Sequence, residues 1–176
     1  MSAESRSSGA REQRAGRSLV GNIVFGAGLV LVFAAMVLGG FAGVALLLAL
    51  ADTSLLSAVV PDDGRSAVVV GGIAFGAITG AFVPALLIGM AHGTEEKPRV
   101  RPDAAARNVL ALVIFDVFVV LLAFVLSQLG WILPERAVSL VSVLVIGLSW
   151  IPLALAPWER LGLGNVFGGR LSRQSD

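Results

Sequence analysis

The chain contains no cysteine among its 176 residues, which excludes a disulfide framework, a thiolate zinc site and a cysteine nucleophile together. It has a single histidine, His92, and a single lysine, Lys97, against twelve arginines. One imidazole with no thiolate and no acidic cluster beside it does not make a metal site, so no metal is expected and His92 is read as an interfacial residue. Reactive signatures are missing as well. There is no phosphate-cradling glycine loop, no Gly-x-Ser-x-Gly elbow and no His-Glu-x-x-His helix. Glu95-Glu96 is a carboxylate pair in sequence only, since the polar loop around it supplies Lys97 and Arg99 as solvated counter-charges. No enzymatic activity and no cofactor are expected.

Charge is scarce and unevenly placed. Charged residues make up 14% of the chain and hydrophobic ones 56%, with a mean hydropathy of +0.88. Soluble domains carry about a quarter charged residues, and a core this apolar would leave a soluble surface uncovered. Ser18 to Ala51, Ser66 to Thr94 and Ala137 to Trp158 hold no charge at all, and Asn108 to Pro134 holds only Asp116. Each run exceeds the ~20 residues that cross a ~30 Å hydrocarbon layer at 1.5 Å per residue.

These runs predict an all-α integral membrane protein, an antiparallel bundle of four transmembrane helices over about 19–50, 67–91, 108–130 and 137–158. Residues 1–17, rich in Ser, Arg and Gly, are expected to be a disordered basic tail, 18–158 the membrane domain and 159–176 a Gly-rich tail. The first apolar run is far longer than the 7 to 15 residues of a signal core, so cleavage after Ala49-Leu50-Ala51 is not expected. It allows about 48 Å of helix and must tilt, project beyond the bilayer or bend near Gly39-Gly40. Asp52-Thr53-Ser54 supplies capping residue types, and Leu55, Leu56, Val59 and Val60 share a helical face, so a short interfacial helix is expected before the Pro61-Asp62-Asp63-Gly64 turn. Pro84 predicts a kink in the second span, and Pro152 and Pro157 a break near the end of the fourth. Pro134-Glu135-Arg136 is so short a link that the third and fourth helices should be neighbours.

Orientation follows from the basic residues of the short segments. One side holds Arg6, Arg11, Arg14, Arg17, Lys97, Arg99, Arg101, Arg107, Arg160, Arg170 and Arg173, and the other only Arg65 and Arg136. Eleven against two places both termini and the middle loop in the cytoplasm of a multi-pass cell-membrane protein. The basic face suits anionic lipid headgroups, whereas nucleic acid is not expected as a partner. Trp131 and Trp158 read as interface anchors.

Two patterns could carry function. Gly72, Gly76 and Gly80 recur at intervals of four, as do Ala35, Gly39 and Gly43, so the first two spans each carry a groove of small residues that admits another backbone. Packing within one four-helix unit is expected ahead of a homo-oligomer or another membrane-protein partner. Asp116 is the one formal charge deep in a span, where a bare carboxylate costs on the order of 3 kcal/mol. It should face protein or water, or be protonated. Trp150 lies at a similar depth on the fourth span, and Ser149 and Thr79 offer hydroxyls, so these three are its candidate partners. Packing signals outnumber reactive groups. The expectation is therefore a structural or accessory membrane component, with a small channel or a proton- or cation-coupled transporter centred on Asp116 as the alternative.

Overall fold

A computed structural model describes residues 4–91 and 102–155. Five helices account for most of them: α1 (Glu4–Ala51), α2 (Arg65–Ala91), α3 (Pro102–Ser127), α4 (Glu135–Leu148) and α5 (Trp150–Leu155), with short 3-10 turns at Asp62–Gly64 and Gln128–Trp131. No strand occurs among the described residues. Four segments are long and apolar enough to cross a membrane: Ile23–Ala51, Asp62–Ala91, Ala104–Trp131 and Glu135–Pro152.

The helix boundaries have local causes. Pro61 and Pro134 both adopt extended backbone immediately before a helical turn, and Asp62, Asp63 and Glu135 put acidic groups in the turns they open, complementing the exposed N–H groups there. Pro102 begins α3, the position where a missing N–H is harmless. Pro152 has no N–H for the carbonyl of Leu148, and the helix breaks at Ser149, whose hydroxyl and N–H both donate to Ile146 O at 2.6 and 3.2 Å. By contrast, α2 runs on through Pro84 and α1 runs on through Gly39-Gly40.

Two segments differ from the sequence reading. Helix α1 starts at Glu4, so the backbone up to Arg17, expected to be disordered, is helical; Ala10 to Ala15 are mostly good helix formers, and a helix already nucleated by the apolar run extends through them with no second nucleation. Asp52 to Val60 forms hydrogen-bonded turns in place of an interfacial helix. Its capping groups are engaged elsewhere: the Asp52 carboxylate pairs with Arg65 at 2.9 Å, and the Thr53 hydroxyl donates back to Leu50 O at 2.7 Å. Val60 turns inward while Leu55 stays exposed.

Helix α2 is the centre of the molecule, touching α1, α3 and α4, and α1 packs principally on α2. One core cluster joins Leu47 and Ala51 of α1 to Val60 and Val68, with Val120 and Phe124 of α3 against them. The other joins Ala67, Val119, Ala123, Leu126, Val138 and Ile146 from α2, α3 and α4. Helices α3 and α4 do touch, but α4 lies chiefly along α2.

The connections at one end are tied together. Arg65 bridges Asp52 and, at 3.4 Å, Asp62; the Gln128 amide donates to Val59 O at 3.0 Å, and the Ser66 hydroxyl to Glu135 O at 3.4 Å. Gly64 and Gly130 lie back to back. A Cβ on Gly64 would strike Ser127 O, and one on Gly130 would lie 2.7 Å from Gly64 Cα, so both positions need the absence of a side chain.

Candidate polar site

The seam between α1 and α2 comes first, because it sets where α2 presents its polar group. The six small residues picked out from the sequence meet along it. A Cβ on Gly39 would strike Gly76 O, one on Gly43 would strike Gly72 O, and one on Gly80 would strike Ala35 O. Gly43, Gly72 and Gly76 are buried. With no side chain between them the two backbones approach to direct contact, so dispersion attraction acts along the whole seam.

With Gly76 committed to α1, the next positions around α2 turn toward α3. Gly71 abuts the Cβ of Ala123, and Thr79 donates its hydroxyl to Asp116 Oδ2 at 2.7 Å. Asp116 is 8% exposed, and its other carboxyl oxygen, Oδ1, is buried with no hydrogen-bond partner. Beside it runs a groove of about 310 Å³ lined by Asp116, Phe75, Val113, Val117, Val120 and Leu121. Phe75 also walls a second groove along the α1–α2 seam, to which Thr79 contributes.

Of the three partners expected for Asp116, the fold brings only Thr79 to it. Ser149 is buried, but its hydroxyl is taken by Ile146 O. Trp150 is 59% exposed and gives no hydrogen bond to Asp116. The physical reason is twofold: α4 lies chiefly along α2, and the break at Ser149 interrupts the helix just before the indole. His92, the Glu95-Glu96 pair, Lys97, Trp158 and the tail 159–176 lie outside the described residues.

Helical spacing from Asp116 identifies Val113 and Val120 as its neighbours, and both line the groove; it does not single out Phe75, Val117 and Leu121, because apolar residues on an apolar helix carry no signal of their own. Sequence reasoning also missed Ser142, fully buried with a partnerless hydroxyl. Ser142 lies seven residues before Ser149 on one helical face, a spacing that was legible. Among the described residues no three His, Asp or Glu side chains gather where they could hold a metal ion. Comparison with family models, with curated proteins and with solved structures gives no match.

Proposed function

We propose that the chain is a four-span, antiparallel membrane protein that serves as a structural or accessory component of the cell membrane and carries out no catalysis. The observation that carries this reading is the use made of Asp116. Its carboxyl group accepts from Thr79 on the neighbouring helix, and the groove beside it is walled by phenylalanine, valine and leucine. A carboxyl group so placed joins two helices; a conducting passage would call for a continuing line of polar side chains.

The antiparallel arrangement is supported by the falling order of the contacts. Ala35, Gly39 and Gly43 pair with Gly80, Gly76 and Gly72, and Gly71 and Thr79 pair with Ala123 and Asp116. The basic count of eleven against two supports cytoplasmic termini and a cytoplasmic connection at 92–101, facing anionic headgroups. A second reading, a small channel or proton- or cation-coupled carrier, draws on the unpartnered Oδ1 of Asp116 beside an open groove.

Reporter fusions after Asp176 and beside Lys97 are expected to read as cytoplasmic, and one within Asp62–Gly64 as external. An external reading at either basic site rejects the topology. Reconstituted vesicles separate the two functions: the structural reading expects no proton or cation flux above that of empty vesicles. Flux that disappears in a stably folded Asp116→Asn variant establishes the carrier in its place.

A further inference from the structure

Two polar groups of complementary kind are left over in one protomer. Asp116 Oδ1 is a buried acceptor with no donor, a condition that native interiors rarely tolerate. Trp150 carries an indole N–H, a donor only, on a side chain that is 59% exposed. By residue count they lie at similar distances from one connection: Asp116 precedes Trp131 by 15 residues (131 − 116) and Trp150 follows Glu135 by 15 (150 − 135), roughly 20–25 Å in each case across the 3-10 turn at Gln128–Trp131 and the break at Ser149.

We propose that a second copy of the chain completes this site, its Trp150 entering the groove beside Asp116 and donating the indole N–H to the carboxyl oxygen that one protomer leaves unpartnered. The proposal rests on the membrane-spanning reading, because copies sharing a bilayer and an orientation are related by rotation about the membrane normal. Such a rotation preserves depth, so a donor and an acceptor can meet across the interface only at the same level. The groove, about 310 Å³ with Phe75 at one wall and Val113, Val117 and Leu121 along α3, offers an aromatic ring apolar surface on either side of the acceptor. Val113, Val117 and Leu121 are themselves 50–60% exposed, so the ring reaches them without displacing another helix. Oδ1 is buried in one protomer while Asp116 lines the groove, and the broad terminal torsion of an aspartate lets that oxygen swing toward the groove as the rotatable Thr79 hydroxyl follows Oδ2.

The absence of cysteine makes the test direct. Two differently tagged full-length chains, one Val117→Cys and the other Ile151→Cys, which keeps Trp150 beside it, are co-expressed, and the membrane fraction is oxidised. A disulfide joining the two tags is expected, well above that of a control pairing Ile151→Cys with Leu55→Cys, which is exposed at the end of the molecule. In the cysteine-free chain, Trp150→Phe keeps the ring and removes the donor, and is expected to weaken self-association about three- to fifteen-fold in detergent dilution. Cross-linking no greater than the Leu55 control, or self-association unchanged by Trp150→Phe, overturns the proposal. Failure to recover the chain in the membrane fraction overturns the membrane reading beneath it instead.

Discussion

Replacing Gly76 by leucine tests the contact on which the position of α2 depends. A Cβ at this site would strike Gly39 O and lie 2.6 Å from Gly39 C and 3.0 Å from Gly43 Cα. Non-bonded carbons rest at about 3.5–4.0 Å, so even the first added atom forces the two backbones apart by roughly 1 Å. That gap forfeits a quarter to a half of the attraction between facing atoms along the seam. Overpacking of this kind costs about 1–3 kcal/mol, against which replacing a helical glycine returns up to about 1 kcal/mol. The net loss for Gly76→Ala is about 1 kcal/mol on these figures, and the longer leucine side chain, with backbone on both sides, should exceed 2 kcal/mol. The comparison residue is Ala77, one position on, which lines an open apolar groove of about 460 Å³ with Met36, Gly40, Phe41 and Ile73. Ala77→Leu extends into that space and should stay within about 0.5 kcal/mol of the parent. Thermal unfolding in one detergent, followed by helical circular dichroism, measures both. Equal stability of the two leucine variants would refute the argument that backbone contact at the seam holds α1 to α2.

The same geometry marks a glycine where a side chain should help. A Cβ on Gly147 has nothing within 4 Å, so Gly147→Ala is expected to raise stability by about 0.5–1 kcal/mol in the same unfolding assay, and a loss there would show a contact unseen in one protomer. The Arg65 pairs should contribute little, because the side chains of Arg65 and Asp52 are 48% and 54% exposed. Arg65→Ala is expected to cost under about 1 kcal/mol, with the cost shrinking as salt is raised; a larger, salt-independent loss would contradict a surface ion pair.

The four apolar segments long enough to cross a membrane, and their helical type, were legible in the sequence because runs without charge are a property of composition, independent of how they pack. The helix starts were less so. The third span was read as beginning at Asn108, yet α3 begins at Pro102, since a polar first turn looks like loop when only hydropathy is counted. The small-residue stripes were legible as surfaces, and their pairing with each other required the fold. Thr79 is legible as a hydroxyl in the middle of an apolar run, and it is the group that meets Asp116. Trp150 is a candidate partner by its count along the fourth span, yet in the fold it gives no hydrogen bond to Asp116. Depth is additive along a helix at 1.5 Å per residue, whereas the direction a side chain faces depends on which neighbour the whole helix leans against and on the break that Pro152 induces. The closure between Gly64 and Gly130 left no trace at all, because it joins two glycines in separate turns, each of which has an ordinary local reason to be there.

A double-mutant cycle on Thr79 and Asp116 measures what their contact contributes. Thr79→Val removes the hydroxyl at nearly constant shape and leaves both Asp116 oxygens without a donor, so it should cost about 1–3 kcal/mol, the usual result of stranding a buried polar group. Asp116→Asn retains an acceptor for Thr79 and should cost less than Asp116→Leu, which leaves the hydroxyl to find the carbonyl of Phe75 one turn back in its own helix. That fallback limits the penalty of the leucine variant. Once Asp116 is leucine, Thr79→Val has no acceptor left to abandon, and its cost should fall. The coupling read from the cycle should lie near the 0.6 kcal/mol average for hydrogen bonds between membrane helices and below about 1.7 kcal/mol. Additive losses, with coupling near zero, would mean that the 2.7 Å contact holds nothing together and that Asp116 is retained for some purpose other than joining α2 to α3.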